Sequence, residues 1–285
     1  MARIELLGVP MDLGAARRGV EMGPSAVRLA RLASRLESLG HTVTDAGDVP
    51  VPTRETLGVG QGIGYLDTIT MVCRDLAGRT RAIVESGGVP VVLGGDHSVN
   101  IPCINAFSGE APIHIVQIDA HLDFVDERHG VRYGHGNPMR RAAEKDYVTG
   151  LSQIGIRNVS STARDGYEAA RAMGSDILSV RRFRKLGVEA VLARIPLGKR
   201  YYVTIDIDAF DPSIAPGTGT PSHGGFLYYE VLELLDGLTR RGTVVGIDLV
   251  EVAPDYDHTG TTAILAAQIL MNFIGRILHR RTASD

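Results

Sequence analysis

The run from Ile113 to Ile118 is apolar except for His114 and Gln117, and the five residues after it deliver Asp119, His121 and Asp123. A β-branched run that ends in a knot of acid and imidazole reads as a buried strand of a parallel α/β sheet whose carboxyl edge carries a site. Such a strand needs partners on both sides and cover on both faces. Carboxylate and imidazole are also the donors of a divalent-metal centre, oxygen for harder ions and neutral nitrogen for softer ones. Taken by itself, the stretch reads equally as a turn rich in capping Asp.

The rest of the chain supplies the partners. Residues 4–9 read as a first strand; Gly23-Pro24-Ser25 opens a helix with Val27, Leu29, Leu32, Leu36 and Leu39 on its apolar face, ended by Gly40, and a strand follows near residues 42–44. Residues 50–64 read as a loop and residues 65–86 as a long helix. The strand at 89–93 ends in Gly94-Gly95-Asp96-His97-Ser98, where glycine lets the backbone turn sharply, and a helix is expected over 98–107. Further strands are expected near 151–156, 177–179, 201–207 and 244–250, with helices over 162–173, 187–194, 228–241 and 259–278. Strand alternating with helix along the whole length predicts an α/β fold in one domain, residues 1–285, built as a doubly wound, mostly parallel sheet with helices on both faces.

A net charge of −3 gives no basic field for nucleic acid or an anionic membrane, so a small molecule is the expected partner. The 44% hydrophobic content supports a folded core, and Cys73 and Cys103 show no paired spacing for a disulfide or a zinc site, which suits the cytoplasm. The first residues lack the succession of a signal peptide, and the late apolar stretch contains Gln268, Asn272 and Arg276, too polar for a bilayer span.

The third acidic group is Asp206-Ile207-Asp208, at the end of the strand expected over 201–207. Alternation along that strand predicts Asp206 and Asp208 on one side and Ile205 and Ile207 in the apolar layer. Two neighbouring buried carboxylates repel unless cations neutralise them. With Asp119, His121, Asp123 and His97 the three strand ends hold four carboxylates and two imidazoles, too much negative charge for one zinc ion and suited to two divalent ions.

GGDHS, DAHLD and TIDIDAFDP, in this order and spacing, together with RRGVEMGPSAVR, resemble the ureohydrolases: arginases, agmatinases and related amidinohydrolases. The resemblance runs from the first strand to the last helix and implies an arginase-like fold, two manganese ions per subunit and a homo-oligomer, trimer or hexamer. It implies that His97, Asp119, Asp123 and Asp206 hold one ion and Asp119, His121, Asp206 and Asp208 the other, with Asp119 and Asp206 bridging. A hydroxide between the ions would attack the guanidinium carbon, and Asp123 would pass its proton to the leaving amine, releasing urea. Glu251 in VGIDLVEVAP matches the acid that pairs with the substrate guanidinium, and His135 in YGHGNP matches a proton-shuttling histidine.

Asp96 and Asp248 could orient a histidine ligand or serve as caps; Asp211, before Pro212, suits a turn, His223 could rim the pocket, and Cys73 suits the core. For the substrate, the loop after Asp123 lacks the Asn and Ser of arginases, while HGNPMRRA and APDYDHTG look agmatinase-like. Asp126 and Glu127 could attract the ammonium of agmatine, and Arg128 and Arg132 the carboxylate of a guanidino acid. Agmatine is the substrate the sequence favours, with 4-guanidinobutyrate or another guanidino acid, arginine and formimidoylglutamate behind it. A non-catalytic binding protein would be expected to have lost a ligand, and a single-zinc deacetylase would not need Asp206, Asp208 and His97 together.

Overall fold

Parallel strands cannot be joined by tight turns, so each must be followed by a crossover that packs back on the sheet. The computed structural model, which describes residues 3–58 and 65–283 with side chains through residue 277, follows this rule throughout. Strands β1 (Ile4–Val9), β2 (Val43–Asp48), β3 (Val89–Gly94), β4 (Ile113–Ile118), β5 (Val148–Gly155), β6 (Ser175–Ser179), β7 (Arg200–Asp206) and β8 (Thr243–Val250) form one sheet. Its order is β2-β1-β3-β8-β7-β4-β5-β6, and every pairing is parallel.

The helices are α1 (Gly23–Leu29), α2 (Leu32–Ser38), α3 (Leu66–Glu85), α4 (Asn100–Asn105), α5 (Pro138–Ala143), α6 (Arg164–Ala172), α7 (Val180–Leu186), α8 (Val188–Leu192), α9 (Tyr228–Thr239) and α10 (Thr261–Ala283). Alternate strand residues feed two cores. Leu6, Val91, Val203 and Ile247 belong to the one covered by α1, α2 and α7 to α10; Leu7, Val92, Ile115 and Tyr202 belong to the one covered by α3 to α6. α3 shows the cause plainly, burying Ile69, Val72, Leu76, Thr80 and Ile83 at helical spacing.

One expected helix is broken here, and two helices come unannounced. The helix expected from Gly23 to Gly40 is two helices: Val27 and Leu32 are both buried but five residues apart, out of phase for one continuous helix, and Arg31 absorbs the offset at φ 68°. Leu29, expected on the apolar face, is consequently 84% exposed, and Leu39 lies outside as well. The helix expected over residues 187–194 is present as α8, but α7 before it, ending at Gly187, was hidden because only Val180 and Phe183 of its residues are buried. α5, opened by Pro138, was not anticipated. Of the loop expected over residues 50–64, Arg54–Thr56 forms a single 3-10 turn, and residues 59–64 lie outside the described residues.

Candidate active site

The ends of β3, β8, β7 and β4, adjacent in the sheet, carry the site. After β3 the chain turns against residue 11: a Cβ on Gly95 would lie 2.0 Å from the Met11 carbonyl oxygen, so no other residue fits. Asp96 then caps the turn that presents His97, accepting from the Ser98 backbone N–H at 2.9 Å and from Gly14 N–H at 2.8 Å. Of its two expected roles it takes the cap. The other two strand ends use one device twice. Asp119 Oδ1 accepts from His121 N–H at 2.6 Å, and Asp206 Oδ1 accepts from Asp208 N–H at 2.9 Å. β7 therefore ends at Asp206, and Asp208 lies in the turn Ile207–Ala209, so alternation does not place the two acids on one side as expected. Ile205 and Ile207 are both fully buried, as expected.

The six side chains meet. Ligating atoms of His97, Asp119 and Asp206 lie within 4.8 Å of one another, as do those of Asp119, His121 and Asp208, so Asp119 is shared. His97 Nδ1 stands 2.9 Å from Asp123 Oδ2, 3.2 Å from Asp119 Oδ2 and 3.4 Å from Asp206 Oδ2; His121 Nδ1 is 2.8 Å from Asp208 Oδ2. All are buried. Burial by itself disfavours charge on His121, yet Asp208 and Asp119 raise its pKa to about 12, and His97 is raised likewise by Asp119, Asp123 and Asp206. Asp206 is pushed up by burial and by Asp208 and Asp119. The cluster draws positive charge.

Beneath it lies a row of polar side chains. Asp248, Thr204, Gln117 and Gln153 are register partners across β8, β7, β4 and β5. Asp248 takes hydrogens from Asn100 Nδ2 and Tyr202 Oη, each at 2.7 Å, and from Thr204 Oγ1. With its hydrogen committed to Asp248, Thr204 Oγ1 can only accept from His97 Nε2, at 2.8 Å. That leaves a bare Nδ1 lone pair facing three carboxylates, which is untenable unless a proton or metal ion sits there; Nδ1 has no hydrogen-bond partner of its own. The donor set thus fits a cation. Gln153 Nε2 donates to Gln117 Oε1 at 2.6 Å, and Gln117 Nε2 to Asp119 Oδ2 at 2.7 Å. Asp248 orients a histidine, as one expectation had it, through Thr204.

Glu251 follows β8 at φ 64°, and Asp123 sits at φ 50°, left-handed conformations that side chains rarely adopt and that concentrate at functional sites. Glu251 is 3% exposed; its Oε1 accepts from His97 N–H at 2.9 Å and lies 3.4 Å from His135 Nδ1. Burial lowers the His135 pKa, but Glu251 outweighs it and carries the group up to about 9. Both residues line a cavity of about 420 Å³ whose wall includes His121, Asp123 and Asp206.

Other candidates fall elsewhere. Asp211 is the turn former expected, accepting from the Ser213, Gly224 and Gly225 amides. His223 is exposed and does not line this cavity, and Cys73 is half-buried against the second core. Asp126 pairs with Arg132 and Arg141, and neither Asp126, Glu127 nor Arg132 lines the cavity; Arg128 does. Residues 117, 157, 204 and 220 were missed. Arg157 ties the Asp208 carbonyl at 2.7 Å to the Ser222 carbonyl at 2.6 Å, and Thr220 Oγ1 donates to Asp208 Oδ2 at 2.9 Å. The available signal was Gln117 and Thr204 interrupting apolar strands; nothing local marks the other two.

A parallel sheet with carboxylates and imidazoles gathered at its carboxyl edge defines a metal-dependent hydrolase of the α/β class. The chain belongs to the arginase family, whose model it matches over residues 2–275, and that family makes it an amidinohydrolase acting on guanidino compounds. It is 36% identical to guanidinopropionase of Pseudomonas aeruginosa over 290 residues, covering 95% of this chain and 86% of that protein. It is 33% identical to the human mitochondrial guanidino acid hydrolase, covering 94% and 76%. Among solved structures, arginase of Bacillus caldovelox superposes with a TM-score of 0.83 at 29% identity, covering 96% of this chain and 99% of that one. Among the described residues no helix is long and apolar enough to cross a membrane.

Proposed function

We propose that this chain is a binuclear manganese amidinohydrolase that cleaves the guanidinium of a small guanidino compound to urea and a primary amine, with His97, Asp119, His121, Asp123, Asp206 and Asp208 as metal ligands. The observation that carries this reading is His97 Nδ1, fixed by Thr204 to point an unshared pair at three carboxylates. Bound there, two divalent ions supply Lewis acidity and water activated near neutral pH.

The protein's own groups do the rest. Glu251, anchored by the His97 amide, offers a buried carboxylate to the planar guanidinium, whose paired N–H groups suit it. Asp123, in contact distance of His97 Nδ1 and on the cavity wall, accepts a proton near the reacting carbon. His135, with Nδ1 toward Glu251, keeps Nε2 to hand a proton to the departing amine. Agmatine, which the sequence favours, shares this head group with the guanidino acids and arginine. Its expected partner Asp126 is already held by two arginines outside the cavity.

The test is a urea-release panel with agmatine, 4-guanidinobutyrate, 3-guanidinopropionate and arginine on manganese-loaded protein, alongside metal analysis. Two equivalents of metal and urea from at least one compound support the reading. Saturated protein inert toward all four would sink it.

A further inference from the structure

The cavity over the cluster is acidic at its base, where Asp123, Asp206 and Glu251 lie, but two guanidinium groups, Arg17 and Arg128, also line it. Their neighbours are neutralised and they are not. Arg18 is paired with Asp12, Glu21 and Glu55, and Arg132 with Asp126 and Glu144. Among the described residues no carboxylate lies within ion-pair distance of Arg17 or Arg128, and the one bond from the Arg128 guanidinium goes to the Ser161 carbonyl at 2.8 Å. Both are exposed on the cavity wall. Arg128 exchanges backbone bonds with Val131, each 2.9 Å, and the stem of Arg17 lies against Gly219, where a Cβ would stand 3.6 Å from the Arg17 Cβ.

We propose that Arg17 and Arg128 form a recognition site for a carboxylate on the substrate's tail, so that the chain takes an ω-guanidino acid over a guanidino amine. The proposal rests on the amidinohydrolase reading above. A molecule cationic at one end and anionic at the other matches a cavity with acids at its base and unpaired guanidiniums along its wall. An ammonium tail would meet like charge there with no acid to relieve it. Guanidinium is suited to this task because its N–H groups match both oxygens of a carboxylate. The polar wall formed by Asn158, Ser160, Ser161 and Thr220 suits a short hydrated tail better than an apolar one.

The experiment compares manganese-loaded wild type, Arg17→Gln, Arg128→Gln and the double variant on 4-guanidinobutyrate, 3-guanidinopropionate and agmatine. The same proteins, treated with chelator so that no turnover occurs, are titrated calorimetrically with 4-guanidinobutyrate. For wild type, kcat/KM should favour an acid over agmatine by about tenfold or more, the worth of one charge-assisted hydrogen bond. Each substitution should raise KM for the acids by about tenfold with little change in kcat, weaken binding in the titration in proportion, and lower KM for agmatine. Preference for agmatine in wild type, or variants whose KM for the acids is unmoved, would overturn the clamp while urea release still upheld the hydrolase. If no compound yields urea the hydrolase reading fails instead, and the titration alone decides whether the arginines hold a carboxylate.

Discussion

Thr204 and Gln117 face one another across β7 and β4, and each sends one hydrogen bond to a different member of the acidic cluster. Thr204 Oγ1 meets His97 Nε2 at 2.8 Å, and Gln117 Nε2 meets Asp119 Oδ2 at 2.7 Å. The sheet itself therefore orients the site, through a polar row laid one residue pair below it.

Replacing Thr204 by Val keeps the shape and removes both bonds. His97 is then free to rotate or change tautomer, and Asp248 loses one of its three donors. We expect metal affinity, measured by competition with a chelator, to fall about 10- to 100-fold, as is usual when a partner behind a metal-bound histidine is lost. Turnover should return at saturating metal. Unchanged affinity would show that Thr204 does not set the imidazole.

How far the sequence reveals all this depends on range. Apolar runs announced the strands, and the six cluster residues stood at their ends because strand termini in a parallel sheet share one edge. What failed needed knowledge of neighbours. The break at Arg31 follows from which of Val27, Leu29 and Leu32 must face the sheet. The offset of Asp208 follows from a strand that stops one residue early, at Asp206, and the supporting roles of Gln117 and Thr204 depend on inter-strand register, which no single strand encodes. Asp126 looked available for an ammonium until Arg132 and Arg141 were seen to hold it.

Gln117→Leu tests the other half of the row. It leaves the Gln153 amide with the Leu122 carbonyl alone, at 2.8 Å, and takes from Asp119 Oδ2 its amide donor, both in fully buried surroundings. An unsatisfied buried polar group costs roughly 1–3 kcal/mol, so urea denaturation of chelator-treated protein should show a loss of about that size. A stability equal to wild type would mean that the relay contributes nothing.

Asp119 is shared by both candidate metal groups, whereas His97 and Asp208 each belong to one. Asp119→Ala should therefore remove both ions and all turnover, while the Asp208→Ala variant should keep about one equivalent of metal. Metal analysis of the purified variants distinguishes the two. Full activity in the Asp119 variant would refute the centre.

The pair His135 and Glu251 predicts a pH dependence of folding stability in chelator-treated protein. Burial lowers the His135 pKa, Glu251 more than compensates, and the result is a rise from 6.5 to about 9. A group whose pKa is raised on folding binds its proton more tightly in the native state, so its contribution to stability is complete below the unfolded value near 6.5 and fades as pH climbs through about 9. The side chain is 22% exposed, so solvent screens part of the effect, and only its sign is predicted. Urea midpoints of wild type and His135→Ala should lie furthest apart near pH 6 and converge toward pH 10. The same gap at both pH values would show that the imidazole does not hold its proton against Glu251, and with it would go the argument that His135 arrives at the leaving amine already charged.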